Sequence, residues 1–306
     1  MPGGTFLRRN DNTYPATVSS FALDKYEVTV GRFRAFVGAG GATTTKPPAV
    51  GAGSHPKIPN SGWQSGWSTF LPSTIAELEK SLDGGTWTPA AGANEQRPIT
   101  NVSWFLAFAF CAWDRGRLPT YAEWTYASSG GSEQRLYPWS QPGSATDGDS
   151  TFAAYGCAVT PPGLACPPSY CSNNPAISPC PITGCAGTCV NPGCTGCDAV
   201  QDVAMVGRFP KGAGRWGHLD LGGNVQEWVL DVAIARKPNE LPMPCVDCAA
   251  VPPAVIVGSG GNGTELLLQE GSWRSTAVSR LRNTENPNSL RPSDTADTVG
   301  FRCARD

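Results

Sequence analysis

Charge is scarce in this chain, and histidine is scarcer. Of 306 residues only 16% are charged, 23 Lys or Arg against 25 Asp or Glu, and two are His; ordinary soluble chains carry about 25% charged residues. A formal net charge of −2, with no long basic run, removes the electrostatic basis for binding nucleic acid. No apolar stretch approaches the roughly 18 residues of a membrane-spanning helix, so no transmembrane segment is expected. His55 and His218, the two histidines, cannot build a three-histidine metal centre, and any Ser-His or Cys-His chemistry would have to use one of them. The opening Met1-Pro2-Gly3-Gly4-Thr5 has neither the charged nor the apolar region of a signal peptide.

Other residue types are abundant: 36 Gly, 28 Pro, 12 Cys, 10 Trp and 11 Phe. The glycines and prolines predict a loop-rich fold, and the aromatics supply enough apolar area to bury a core and exclude disorder. Length alone allows about two domains. So many cysteines suit an oxidising compartment, so the protein is expected to be secreted, periplasmic or on a cell surface, with a signal peptide that this sequence does not carry.

Local signals place the elements. Thr5-Phe6-Leu7 reads as a strand and residues 17–23 as a second. Thr29 can cap a short helix that turns Phe33, Phe36 and Val37 inward. Residues 38–95 form a long loop pinned by Trp63, Trp67 and Trp87, with one helix near 73–82. Ser103 can cap a helix from Trp104 to Asp114 that is apolar almost all round, hence buried. Thr120 and Glu123 form a capping box for a helix over 121–127.

Residues 157–197 hold eight cysteines and almost no large apolar side chains; such a segment reads as a disulfide-rich insertion held by staples. Cys194–Cys197 and Cys245–Cys248 are both C-x-x-C pairs. Four thiolates could bind zinc, but 47 residues separate the pairs, far more than in a zinc ribbon. Disulfides are the favoured reading.

Seven motifs stand in order: Pro2-Gly3-Gly4-Thr5-Phe6, Glu27-Val28-Thr29, Pro98-Ile99 with Val102-Ser103-Trp104, Arg117-Leu118-Pro119-Thr120-Tyr121-Ala122-Glu123-Trp124, Gly223-Asn224-Val225-Gln226-Glu227-Trp228, Gly271-Ser272-Trp273, and Gly300-Phe301-Arg302-Cys303. Together they resemble the formylglycine-generating enzyme (sulfatase-modifying factor) family. The resemblance implies an α+β fold, C-type-lectin-like, with little regular secondary structure, here one domain over 1–306 interrupted by the Cys-rich insertion. It also implies a disulfide between Cys111 and Cys303.

The family's oxidase holds copper with two cysteines that follow Gly-Ser-Trp/Tyr; soft thiolates are what Cu(I) selects. Counted from Gly271-Ser272-Trp273, those places are Ser275 and Arg280, and no cysteine lies between Cys248 and Cys303. Copper is therefore not expected, nor is the iron that a related branch holds with three histidines. Catalytic residues of either type are absent, and Gln226 replaces the usual Trp beside the active site. The resemblance does imply a structural Ca²⁺, held by the side chains of Asp220 and Glu227 and the carbonyls of Gly223 and Val225; a hard cation wants such oxygens, and a glycine-rich turn lets carbonyls converge. The alternative is that Asp220 caps a turn and Glu227 pairs with an arginine. A second family Ca²⁺ site would use Asp198 and the Val200 carbonyl.

These readings lead to two expectations. In the first, the chain is a catalytically silent member whose former active-site cleft binds an unknown peptide, protein or glycan through Gln226, Trp273, Arg274, Ser275, Arg280, Arg282 and Asn283. The arginines could instead pair with Glu285, Asp294 or Asp297. In the second, the same cleft hosts a metal-dependent oxidoreductase with altered chemistry. Lectin-type domains of this family also serve as hypervariable receptors, and residues 275–297 occupy the diversified segment.

Overall fold

The computed structural model describes residues 1–144, 151–155, 203–233, 241, 243–255, 264–269, 271–275 and 278–306. In chain order its regular elements are β1 (Gly4–Leu7), β2 (Pro15–Val18), β3 (Ala22–Leu23), α1 (Val30–Gly38), α2 (Ile75–Ser81), α3 (Trp104–Trp113), α4 (Tyr121–Ser129), β4 (Gln226–Val232), β5 (Cys245–Val246), β6 (Leu266–Gln269), β7 (Asn288–Leu290), β8 (Val299–Gly300) and β9 (Ala304–Arg305). Strands and helices fall in separate runs along the chain, β1–β3, then α1–α4, then β4–β9, as an α+β fold requires.

Three helices begin where the caps predicted, and α2 begins at a cap that the sequence reading does not name. Thr29 accepts from the Arg32 N–H, Thr74 from Glu77, Ser103 from Leu106 and Thr120 from Glu123. Each bond satisfies one of the orphan amides of a first turn. At α4 the box is complete, since the Glu123 carboxylate also accepts from the Thr120 N–H at 2.8 Å. Every residue of α4 is buried, and so is α3 from Trp104 to Cys111. The expected strand over 17–23 is split into β2 and β3. The Ser19 N–H and hydroxyl leave the ladder and bond the Asp247 carboxylate at 2.6 and 2.8 Å.

The central sheet runs β7-β6-β4-β8, with β4 antiparallel to β6 and parallel to β8. Two smaller sheets, β1-β2-β5 and β3-β9, tie the amino terminus to distant segments. Between α3 and the loop 38–95 lies an aromatic stack. Trp67 meets Trp104 edge-on at 5.1 Å and Trp63 at 5.6 Å, and each such pair is worth ~0.5–1.5 kcal/mol beyond its area. The Trp67 indole donates to the Pro253 carbonyl at 3.0 Å, so the loop is pinned as expected.

Cys111 and Cys303 are disulfide-bonded with a Cα–Cα distance of 5.5 Å, which ties α3 to the carboxy-terminal segment. Cys245 and Cys248 are bonded to each other and so contribute no thiolates to a zinc site. Cys194, Cys197 and the insertion 157–197 lie outside the described residues.

Glu123 shows how the charges that do exist are used. Arg117 grips it with two bonds of 2.7 Å, and His55 Nε2 lies 3.4 Å from it. Burial pushes the Glu123 carboxyl up, but the bonds from His55 and Arg117 outweigh it and bring it down to about 2. A depressed carboxylate contributes stability above its unfolded value of 4.5, lost as pH falls toward 2. Glu123→Gln should therefore cost about 3 kcal/mol at pH 7. In urea titrations the gap from wild type should narrow below about pH 4.5 and close only near pH 2; a gap independent of pH would refute the assignment.

Candidate functional site

The turn that leads into β4 is built for convergence. Asp220 and Asn224 are left-handed at φ 59° and 56°, and Gly223 sits at φ 88°, where a Cβ would fall 2.5 Å from the Ala154 carbonyl. Only glycine fits there. The turn brings the Asp220 and Glu227 carboxylates into the protein, and a third, Glu27, meets them from the segment before α1. All three are buried.

Each carboxylate has its own partners. Glu227 takes the buried Arg302 guanidinium through bonds of 2.7–3.0 Å and the Trp124 indole at 2.8 Å. The Gly207 N–H donates to Asp220 at 2.6 Å. Asn224 Nδ2 donates to Glu27 at 2.8 Å, and the Val225 N–H donates to its other oxygen at 3.3 Å. Arg302 also donates to the carbonyls of Asp24, Lys25 and Leu219.

Three buried acids against one guanidinium leave uncompensated negative charge. Burial, then the charges of Asp220 and Glu227, push the Glu27 carboxyl well above the usual range. Burial likewise raises Asp220 to about 6, against the pull of the Gly207 N–H and Arg302. A protein offsets such charge with protons or with a cation. The donor chemistry fits a hard divalent ion: the carboxylates of Asp220 and Glu227 would hold it with the carbonyls of Gly223 and Val225. Among the described residues no three His, Cys, Asp or Glu side chains form a metal-ligating group, so backbone oxygens would have to complete the set. Asp198 and Val200 lie outside the described residues. The pairing of Glu227 with an arginine, the alternative the sequence left open, is present as Glu227–Arg302. In this structure Arg302 and Trp124 between them occupy both oxygens of Glu227, so a cation would have to share or displace those bonds.

Asn224 connects this centre to the expected cleft. Its carbonyl accepts from the Trp273 N–H at 2.8 Å, and its side-chain oxygen from Ala204 at 2.9 Å. Trp273 is buried against Val203 and Val225, with the Arg274 guanidinium 4.5 Å from its ring centre. Arg274 pairs with Asp297, one of the acids named as its possible partners. Ser275 closes a tight turn: its hydroxyl accepts from the Ser272 N–H at 2.9 Å, and its N–H donates to the Ser272 carbonyl at 2.8 Å.

Arg280 is exposed on the short 3-10 turn Val278–Leu281. Arg282 donates to the Tyr137 hydroxyl at 2.9 Å. Asn283 is buried and bonded to the backbone of Arg135 and Leu136. Gln226 is half-buried at the start of β4, its N–H on the Thr298 carbonyl. Arg274 and Arg280 thus face solvent, Gln226, Ser275 and Arg282 are partly accessible, and Trp273 and Asn283 are buried.

Neither histidine belongs to this region's bonding. His55 is held between Glu123 and the Lys57 N–H, and His218 Nε2 lies 3.2 Å from the Leu23 carbonyl. Glu27, Asn224 and Arg302 carry roles that sequence reasoning did not assign. Their only signal was membership in the motifs Glu27-Val28-Thr29, Gly223-Asn224-Val225 and Gly300-Phe301-Arg302.

Comparison with known proteins identifies the family. The mouse formylglycine-generating enzyme is 26% identical over 336 residues, covering 100% of this chain and 74% of the relative. The Mycobacterium tuberculosis formylglycine-generating enzyme is 26% identical, covering 100% and 96%. The mouse inactive C-alpha-formylglycine-generating enzyme 2 is 31% identical over 163 residues, 45% of this chain and 49% of the relative. Among solved structures, PvdO from Pseudomonas aeruginosa superposes with a TM-score of 0.54 at 17% identity, covering 100% of this chain and 92% of that one, which speaks to the fold. The family profile described as the sulfatase-modifying factor enzyme 1-like domain matches residues 1–175 and 190–306, and the chain belongs to that family.

Proposed function

We propose that this chain is a catalytically silent, Ca²⁺-stabilised domain of the family, exported from the cytoplasm, whose former active-site cleft binds a ligand or protein partner. One observation carries the reading: the two places where the family's oxidase needs thiolates hold Ser275 and Arg280. The Ser275 hydroxyl is committed to its own turn, and Arg280 presents a guanidinium to solvent. Neither group binds Cu(I). An oxidoreductase with altered chemistry would need ligands or paired acids in the cleft, and residues 271–275 and 280–283 supply none.

Three measurements test the proposal. Incubation with copper and a Cys-x-Pro-x-Arg peptide should leave the peptide mass unchanged; conversion of the thiol to an aldehyde would overturn the reading. Addition of CaCl₂ after EDTA treatment should raise the melting temperature, because a ligand at 100 times its Kd stabilises by about 2.7 kcal/mol. Asp220→Asn should lose that response, and an equal response in this variant would place the ion elsewhere. The charge-reversed Arg274→Glu, Arg280→Glu protein should lose the acidic peptides that wild type selects from a display library.

A further inference from the structure

Arg8 is buried without adequate partners. It follows β1, its N–H donates to the Tyr14 carbonyl at 3.0 Å, and its guanidinium is fully buried. Nη2 donates to the thioether sulfur of Met243 at 3.1 Å, while Nε and Nη1 have no acceptor. Asp231 is near enough for its charge to act on Arg8. Its two oxygens, however, are taken by the N–H groups of Tyr121 and Ala250 at 2.7 and 2.8 Å. The Tyr14 ring lies 6.0 Å away. A guanidinium with five donors thus has one side-chain acceptor, and a thioether is a weak one. Leaving a buried charge so poorly bonded is costly.

Met243 itself is 49% exposed, so oxidants reach the residue that Arg8 holds from inside. We propose that Met243 is an oxidation site whose sulfoxide is captured by Arg8. With hydrogen peroxide as oxidant, a sulfur lone pair attacks one peroxide oxygen, the O–O bond breaks, an S–O bond forms, and the second oxygen takes up the proton of the first and leaves as water. Sulfur gives up two electrons and peroxide takes them. The product places a strong acceptor oxygen beside a guanidinium short of acceptors, and charge-assisted bonds of that kind are about twice as strong as neutral ones. Sulfoxides usually loosen apolar packing; this one tightens a contact. Arg8 stands at the end of β1, and Met243 lies two residues before β5, which pairs with β2. The clasp therefore joins the amino-terminal hairpin to the 243–248 segment.

The chain contains three methionines, and Met205, 42% exposed, is an internal control. After mild peroxide treatment, peptide mapping should find sulfoxide at Met243, and the oxidised protein should melt a few degrees higher than the untreated one. Met243→Leu should show no rise on the same treatment, although Met205 and every cysteine remain. Met243→Gln, which places a carbonyl oxygen near the sulfur, should melt higher without peroxide. In Arg8→Leu the rise on oxidation should vanish. A fall or no change on oxidation of Met243, no sulfoxide at Met243, or a rise that persists in Met243→Leu would overturn the proposal. Should Arg8→Leu fail to fold, the two Met243 variants decide it alone.

Discussion

Replacing Cys111 and Cys303 together by alanine should lower the unfolding free energy by about 5 kcal/mol in guanidinium titrations. The chain-entropy account of a cross-link grows with the logarithm of the loop it closes, and here the separation is 192 residues. Both half-cystines are fully buried, one on α3 and one beside β9, so the replacement also removes packed sulfur. The internal comparison is Cys245–Cys248, which closes a loop with a separation of 3; the same relation gives it about 2 kcal/mol. Equal losses from the two double replacements would show that strain or residual structure, and not loop closure, sets the contribution.

Arg302→Met should be nearly as damaging, at about 3–5 kcal/mol, the usual cost of removing one partner from a buried ion pair. Arg302 is the only guanidinium bonded to the Glu27–Asp220–Glu227 group among the described residues, and its removal leaves three buried acids together. The loss should exceed that of Arg302→Met combined with Glu227→Gln, since the double variant no longer buries the unpaired Glu227 charge. If single and double variants lose the same amount, the ion pair is not what holds this region.

Much of the helical structure was legible because caps are local. Thr29, Ser103 and Thr120 each lie within three residues of the amide they satisfy, so spacing alone located α1, α3 and α4. The strands β4 and β6 were not read from periodicity for a physical reason. Both are buried on both faces, so the alternation that marks a half-exposed strand is absent. The site was half legible. Asp220 and Glu227 stand seven residues apart around a glycine turn, and the motif betrays them. Glu27 comes from nearly 200 residues away, and nothing near it in sequence hints at its company. Arg8 is harder still, because an isolated arginine after a strand reads as a surface residue until its burial is seen.

The Cys111–Cys303 bond has a consequence for how this molecule comes apart. It makes a covalent ring of the chain between those residues, and the Cys-rich segment 157–197 lies on that ring. A protease that cuts once anywhere within it opens the ring without releasing a fragment: the two pieces should migrate as one band on a non-reducing gel and separate only when reductant is added. New sequence can accordingly be spliced into the ring at little entropic cost, since doubling a long loop adds only about 0.6 kcal/mol. The same bond that fastens the carboxy-terminal segment to the core leaves the intervening chain free to change in length.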